Sequence, residues 1–285
     1  MAEYIGQQFG NYRLLRLLGQ GAFASVYLAE HCYLEILAAV KVLHVKIEAR
    51  TQDAFLREAR TIARLQHPHI VRVSDFGFQE QIPYLVMEYL PNGTLRSQHP
   101  KGTRLSFEEI VRYVRQIAAA LDYAHEQHVI HRDIKPENIL LNAQKEAVLS
   151  DFGIAVVERT IDTLSSQNQA GTPLYMAPEQ MQRHPCPASD QYALGVMVYE
   201  WLTGEPPFPG PGIAIFAQHL YQSPPSLCVR LPELRPAVED AVFGTLAKNP
   251  AQRFDNVSDF AIALEEACFA TQPLAHGAST ESDSL

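Results

Sequence analysis

The sequence predicts an α+β fold in which a small antiparallel β-sheet lobe with one helix precedes a larger, mainly α-helical lobe. Short apolar runs separated by turns dominate the chain up to Leu90. From Ser106 onward, long stretches with the composition and spacing of helices replace them. With 285 residues, 47% of them hydrophobic, the chain can bury a core in each lobe.

The elements of the small lobe follow in order. The runs YRLLRLLGQG and ASVYLAE flank a glycine turn, and LAAVKVLHV is a compact apolar run, so three strands are predicted. TQDAFLREARTIARLQ, from Thr51 to Gln66, has apolar residues at helical intervals and predicts a helix that ends before the proline of HPHI. IVRVSDFGF and PYLVMEYL predict two more strands, closed by the turn PNGT.

The large lobe is predicted from four helical stretches. SFEEIVRYVRQIAAALDYAHEQH opens with a serine and two glutamates, which suit the positive end of a helix. SDQYALGVMVYEWLTG predicts a buried helix that ends at Gly204, and PPFPGPG predicts a loop after it. RPAVEDAVFGTLAKNPAQRF and VSDFAIALEEACFA are the other two helical stretches. In VIHRDIKPENILL, apolar pairs on both sides of a polar loop predict a strand at Val129–Ile130 and another at Ile139–Leu141.

These patterns divide the chain into an N-terminal extension, two lobes and a tail. The predicted boundaries are 1–11 for the extension, 12–90 for the small lobe, 91–270 for the large lobe and 271–285 for a disordered polar tail.

Composition excludes several classes of protein. The net charge of −9, from 23 basic and 32 acidic residues, argues against general nucleic-acid binding. Four scattered cysteines without a C-x-x-C pair argue against a zinc site or a disulfide framework and fit a reducing compartment. The first ten residues, MAEYIGQQFG, lack the basic and apolar pattern of a secretory signal, and no apolar stretch predicts a membrane-spanning helix. We therefore expect a cytoplasmic chain without membrane contact, either alone or as the cytoplasmic part of a longer membrane protein.

The polar loop HRDIKPEN carries the strongest chemical signal. Asp133 can accept or orient the proton of an attacking hydroxyl, and Lys135 can neutralise a phosphoryl group in transfer. Asn138 offers an amide oxygen to a hard cation, and Pro136 stiffens the loop between them. The alternative is a polar surface turn whose groups are all hydrogen-bonded. The presence of a histidine, an arginine, an aspartate, a lysine and an asparagine at this spacing disfavours it.

Two features of the small lobe are weaker signals on their own. In LGQGAFASV, two glycines leave room for phosphate oxygens against backbone N–H groups, although a plain hairpin would use similar residues. Lys41 lies in the apolar run AAVKVL and needs negative charge, either from Glu58 on the predicted helix or from phosphates. A lysine on an edge strand is the alternative explanation.

A second carboxylate follows the polar loop. Asp151, after a short apolar run, is placed to hold Mg²⁺ at a strand end. The earlier SDFG at Ser74 lies on a predicted small-lobe strand and is a coincidence. Between Asp151 and APE runs a polar segment that cannot bury much surface, and Arg132 is a guanidinium suited to a phosphorylated hydroxyl there. The candidate hydroxyls are Thr160, Thr163, Ser165 and Ser166.

In this order and spacing the chain resembles a eukaryotic-type serine/threonine protein kinase domain, most like the bacterial branch of that family. The resemblance covers about residues 9–270 and rests on GQGAFASV, AAVK, Glu58, HRDIKPEN, DFG and APE. It implies the bilobal protein kinase fold.

The resemblance also implies the roles of individual residues. Asp133 would be the catalytic base, with Lys135, Asn138 and Thr172 around it, and Asn138 and Asp151 would hold Mg²⁺, with Mn²⁺ as a substitute. Lys41 would pair with Glu58 and with the α- and β-phosphates of ATP, and Met87 would be the gatekeeper beside the adenine. The nucleotide-contacting set implied by the family is Leu18, Gly19, Gln20, Gly21, Ala22, Phe23, Ala24, Ser25, Val26, Ala39, Lys41, Glu58, Met87, Glu88, Leu90, Leu140 and Asp151. Glu179 would pair with Arg253, and Asp190 would brace the catalytic loop.

The implied activity is transfer of the γ-phosphate of ATP to serine and threonine hydroxyls of protein substrates. Autophosphorylation is expected at Thr163, Ser165 or Ser166, with the two serines preferred, and a homodimer could carry it out in trans. Ala24 stands where the family has its third glycine, and a positive φ there would be strained in alanine. One alternative is a pseudokinase scaffold, which usually lacks one of Lys41, Asp133 or Asp151. The other is a small-molecule phosphotransferase, which the peptide platform GTPLYMAPE disfavours.

Overall fold

Six antiparallel strands form one sheet in the first part of the chain. The computed structural model describes residues 4–47, 49–152 and 173–270, without the side chains at positions 49, 50, 51, 54, 55 and 58. The strands are β1 (Gln8–Phe9), β2 (Tyr12–Gln20), β3 (Ala24–His31), β4 (Leu37–Leu43), β5 (Val73–Gln79) and β6 (Ile82–Glu88), in the spatial order β1-β2-β3-β4-β6-β5. Helix α1 (Ala49–Ala63) connects β4 to β5.

Helices dominate the rest of the described chain. They are α2 (Leu95–Gln98), α3 (Phe107–Glu126), α4 (Pro178–Met181), α5 (Pro187–Thr203), α6 (Gly212–Tyr221), α7 (Leu227–Arg230), α8 (Pro236–Thr245) and α9 (Val257–Phe269), with a short antiparallel pair β7 (Ile139–Leu141) and β8 (Ala147–Leu149). A sheet-rich part with one helix thus precedes a helix-rich part, as the bilobal kinase fold requires. The predicted fold class is confirmed.

The longest helix begins, and the second longest helix ends, where the sequence predicts. In α3, the Ser106 hydroxyl accepts a hydrogen bond from the Glu109 N–H, and the Glu109 carboxylate accepts from the Ser106 N–H. This capping box fixes the first turn. In α5, Gly204 ends the helix with φ +85°, a left-handed conformation that favours glycine. Most of α5 is buried, and together with α3 and α9 it forms the main core.

Several boundaries and elements differ from the prediction. Val129–Ile130 is not a strand, because the Val129 N–H bonds to the Ala124 carbonyl at the end of α3. The stretch predicted as one helix after Arg235 is α8 followed by a separate 3₁₀ turn at Pro250–Gln252, since proline cannot continue a helix. Four further helices were not predicted from the sequence: α2, α4, α6 and α7.

None of the helices within residues 4–47, 49–152 and 173–270 combines the length and the apolar character needed to cross a bilayer. The predicted disordered tail, 271–285, lies outside the described residues.

Candidate active site

Two side chains of the polar loop, those of Lys135 and Asn138, converge on the carboxylate of Asp133. The Lys135 ammonium donates to Asp133 Oδ2 over 2.7 Å, and the Asn138 amide donates to the same oxygen over 2.8 Å. Asn138 also donates to the Asp133 backbone carbonyl over 2.8 Å, so its side chain is fixed at two points. The Asp133 side chain keeps 46% of its surface exposed. A carboxylate held this way presents an oxygen in one orientation while remaining accessible to a hydroxyl.

One buried carboxylate, that of Asp190, anchors the backbone of the polar loop. Asp190, on α5, accepts from the backbone N–H groups of His131 and Arg132 over 2.9 and 2.8 Å and contacts the His125 ring over 2.8 Å. Arg132 takes φ +70°, which is uncommon for a residue with a side chain. The predicted brace by Asp190 is confirmed, and it accounts for the persistence of this conformation.

His131 links the polar loop to the residues directly after β8, which include Asp151. Its Nε2 lies 2.8 Å from the Ser150 carbonyl, which can only accept, so Nε2 carries the proton. Its Nδ1 then accepts from the Asp133 N–H over 3.3 Å. The ring packs against Phe152 with 4.5 Å between centroids. This fully buried histidine thereby fixes the spacing between Asp133 and Asp151.

Lys41 and Asp151 form an ion pair between the large sheet and the end of β8. The two side chains meet at 2.9 Å, and Lys41, on β4, is only 8% exposed. Burial alone would raise the pKa of Asp151, but the charge and hydrogen bond of Lys41 hold that pKa below its usual value. Asp151 is therefore ionised at neutral pH and can bind a cation.

The oxygen donors at this place fit a hard divalent cation. Asn138 directly precedes β7 and Asp151 follows β8; because Ile139 pairs with Leu149, both residues lie at the same end of the hairpin. The Ser150 N–H and hydroxyl both donate to the Asn138 carbonyl, which ties the two ends together. Within the described part of the chain, no cluster of three or more His, Cys, Asp or Glu side chains could hold a metal. A carboxylate and an amide oxygen match the mode in which Mg²⁺ is shared between protein and phosphates.

The glycine turn lies between β2 and β3. The Gly21 N–H bonds to the Ala24 carbonyl over 2.8 Å and closes the turn. Ala24 does not adopt the positive φ that would strain an alanine, because it is the first residue of β3 and has extended backbone. Its methyl group is buried beside Leu43 and Leu85. Alanine therefore replaces the family's glycine here without a conformational penalty.

The residues expected around an adenine ring lie together in one apolar cluster. Ala39 and Met87 face each other across β4 and β6 and are buried with Val71 and Val148. Three further residues of the implied nucleotide-contacting set, Val26, Leu90 and Leu140, pack against this cluster. The Glu88 N–H bonds to the Arg72 carbonyl over 3.0 Å.

Two ion-pair networks surround the loop. The predicted pair of Glu179 with Arg253 is confirmed as a bidentate contact at 2.8 and 2.9 Å. The other network was not predicted from the sequence. Arg96, on α2, contacts Glu137 at 2.9 Å and Glu200 at 2.9 Å, and donates to the Tyr175 hydroxyl over 2.6 Å. Burial, followed by the charge of Glu200, raises the pKa of Tyr175, which stays a neutral hydroxyl. No local sequence signal could have found residues so far apart in the chain.

Other predicted residues lie outside the described ones. The side chain of Glu58 does, so its pairing with Lys41 stays a prediction. The same holds for the positions between Phe152 and Pro173: Thr160, Thr163, Ser165, Ser166 and Thr172.

The chain matches known proteins along most of its length. The family model for the protein kinase domain matches residues 12–272. The serine/threonine-protein kinase PknE of Mycobacterium tuberculosis is 37% identical over 265 residues, covering 92% of this chain and 47% of PknE. PknF of the same organism is 39% identical over 275 residues, covering 91% and 56%. PrkC of Bacillus subtilis is 34% identical over 262 residues, covering 90% and 40%.

The chain belongs to the protein kinase domain family. Its named relatives come from bacteria, which confirms the predicted likeness to the bacterial branch. The chain spans about half the length of the curated relatives it matches. Membership of the family implies the use of ATP and a divalent metal ion.

Proposed function

We propose that this protein transfers the γ-phosphate of ATP to serine and threonine hydroxyls of protein substrates. The observation that carries the proposal is the convergence of Lys135 and Asn138 on Asp133, next to the Lys41–Asp151 pair. The names of the relatives support the serine/threonine class. All three residues whose loss marks a pseudokinase (Lys41, Asp133 and Asp151) are present, so that alternative is not carried forward.

ATP would bind between the sheet and the helical part. Its adenine would lie against the apolar cluster of Ala39 and Met87, with the Glu88 carbonyl and the Leu90 N–H at its polar edge. The glycine turn from Leu18 to Val26 would cover the phosphates with its backbone N–H groups. Lys41 would contact the α- and β-phosphates, and its buried position supports a fixed direction of the ammonium group.

Asn138 and Asp151 would hold Mg²⁺, with Mn²⁺ as a substitute. A divalent ion held there would supply positive charge that stabilises the charge developing on the phosphates. Asp151 contributes the negative charge, since its pKa is held low by Lys41. Asn138 contributes a neutral oxygen, and its amide N–H groups keep that oxygen oriented by bonding to Asp133.

Asp133 and Lys135 would act at the reacting atoms. The substrate hydroxyl oxygen attacks the γ-phosphorus, the bond to the bridging β–γ oxygen breaks, and ADP leaves with that electron pair. Asp133 orients the hydroxyl and takes its proton, and Lys135 neutralises charge on the γ-phosphoryl oxygens. Positioning supplies most of the rate, which is why the fixed geometry around Asp133 matters.

Regulation would come from phosphorylation between Asp151 and Ala177, at Thr163, Ser165 or Ser166. Arg132 supports this proposal, because its buried Nε has no hydrogen-bond partner among the described residues. A phosphate group would supply the missing acceptor and a paired charge. Thr172 would contact Asp133 and Lys135. Transfer in trans within a homodimer, the absence of nucleic-acid partners and a cytoplasmic location stay predictions from the sequence.

The test is phosphate transfer by Asp133→Asn. Asn keeps the shape of the side chain but cannot accept a proton, so we expect ATP affinity within a few fold of the wild type and at least a hundredfold loss of transfer. Radiolabelled ATP with a generic basic protein as acceptor gives the rate, and calorimetry gives the affinity. The matched control is Asp255→Asn at an exposed carboxylate, which should leave both unchanged.

Two results would overturn the proposal. One is full transfer by the Asp133 variant, and the other is a wild-type protein that transfers no phosphate to any protein or to itself. Peptide mapping after incubation with Mg-ATP tests the regulatory part: it fails if Thr163, Ser165 and Ser166 all remain unmodified.

A further inference from the structure

His44 contacts the glycine turn in three places. It lies directly after β4, and its backbone N–H donates to the Phe23 carbonyl over 2.7 Å. Its ring Nε2 is 2.8 Å from the Ser25 hydroxyl, and its ring Nδ1 is 3.3 Å from the Ala22 carbonyl. One residue thus contacts three of the residues that make up or follow the turn.

The partners fix which ring nitrogen carries the proton. The Ala22 carbonyl can only accept, so Nδ1 must be the protonated nitrogen. In the neutral ring, Nε2 then accepts from the buried Ser25 hydroxyl. If the ring gains a second proton, Nε2 donates to the Ser25 oxygen instead, and both contacts survive. The contacts of the His44 ring with Ala22 and Ser25 are therefore compatible with either charge state of His44.

The turn has little else to hold it. Gly21 and Ala22 are exposed, and a Cβ built on Gly19 would touch nothing within 4 Å, so packing does not confine this part of the loop. The hydrogen bond from Gly21 to Ala24 closes the turn but does not attach it to β4. The turn is attached to β4 by the pairing of β3 with β4, which begins at Ala24, and by the His44 N–H bond to Phe23; the His44 ring adds two side-chain contacts, one of them to Ala22 within the turn.

We propose that His44 is a positioning residue that pre-orders the glycine turn for the phosphates of the nucleotide. This inference rests on the proposed function, in which the turn covers those phosphates. His44 itself does not contact the nucleotide. Ordering backbone is costly in conformational entropy, so a turn already held in place binds phosphates more tightly than a free one.

The effect should depend on the phosphates of the ligand. His44→Ala removes both ring contacts but keeps the backbone bond to Phe23. Freeing about one residue of the turn should weaken ATP binding roughly tenfold. Adenosine, which lacks phosphates, should bind within about twofold of the wild type. Calorimetry on the full chain with ATP and with adenosine measures both.

Partial rescue separates a positioning role from a general structural one. In His44→Asn the amide N–H can reach the Ala22 carbonyl, whereas in His44→Gln the longer side chain can reach Ser25, so both variants should fall between the wild type and alanine. Ser25→Ala removes one contact from the other side and should weaken ATP binding by a few fold. It also keeps the test valid if His44→Ala does not fold. His184→Ala, at an exposed histidine, is the control.

The inference is overturned if the variants leave ATP affinity unchanged, or if they weaken ATP and adenosine by the same factor. Either result can occur in an active kinase, so it leaves the proposed function intact. Failure of the wild type to bind ATP or transfer phosphate would instead overturn the proposed function.

Discussion

Replacing Glu179 by glutamine should cost this domain a large part of its stability. Glu179 and Arg253 form a bidentate ion pair, and the Arg253 side chain is fully buried. Arg253 also donates to the carbonyls of Ala188 and Ala247, and Ser189 donates to Glu179 over 2.6 Å. Glutamine has the same shape but no charge, so the change leaves the guanidinium buried without a counter-charge.

The magnitude follows from the burial of the pair. Removing one partner of a buried ion pair costs about 3–5 kcal/mol. Because the two carbonyl bonds of Arg253 survive, and glutamine can still accept one hydrogen bond, we expect a loss near the lower end, about 3 kcal/mol. Total unfolding free energies of domains are about 5–15 kcal/mol, so a loss of this size is readily measured.

Urea unfolding at neutral pH, followed by circular dichroism, is the assay. The control is Arg115→Gln, which breaks an Arg–Glu pair of similar length, 3.1 Å to Glu265, at a position where the arginine side chain is 63% exposed. That change should cost less than about 1 kcal/mol. If Glu179→Gln also stays within about 1 kcal/mol of the wild type, the argument from burial is refuted.

Three further predictions concern the site, pH and a turn. Lys41→Met should reduce phosphate transfer at least a hundredfold, since Asp151 and the phosphates lose their ammonium partner, and a residual rate above a tenth of the wild type in the radiolabel assay would contradict this. Burial raises the pKa of Glu179, but hydrogen bonds from Arg253 and Ser189 outweigh burial and hold that pKa below its ordinary value of 4.5. The ionised carboxylate therefore stabilises the fold above pH 4.5, and this stabilisation is lost as the pH falls through the lower pKa of the folded state. Urea midpoints should fall more steeply in acid for the wild type than for Glu179→Gln. Gly204→Ala should cost more than about 1 kcal/mol, because φ is +85° and the new Cβ would lie 2.9 Å from the Gly102 carbonyl, whereas Gly212→Ala, with nothing within 4 Å, should be neutral or stabilising in thermal melts.

Local signals in the sequence predicted the elements that are governed by local physics. The capping serine of α3 and the terminal glycine of α5 fixed two helix ends correctly, because caps act within a few residues. Val129–Ile130 was misjudged because an apolar pair signals burial and does not by itself signal a strand. The next N–H, from His131, goes to the carboxylate of Asp190, 59 residues away, and no local pattern encodes that partner.

The contacts of the candidate site also fall into two groups: local contacts, which the sequence predicts, and long-range contacts, which it does not. The spacing of Asp133, Lys135 and Asn138 is local, so their convergence could be inferred from one loop. The Arg96 network joins residues up to 104 positions apart, and the His44 contacts depend on how β4 pairs with β3. Such contacts arise from tertiary packing, and a single sequence does not reveal them.

The attachment of the polar loop to α5 has a consequence for how variants of this protein fail. Asp190 holds two backbone groups of the loop in place, and Arg132 keeps an unfavourable backbone angle as a result. The positions of Asp133, Lys135 and Asn138 therefore depend on the packing of α5 inside the helical lobe. We expect that a substitution that shifts the buried helix by a fraction of an ångström would reduce the proposed phosphate transfer while the purified protein remains folded.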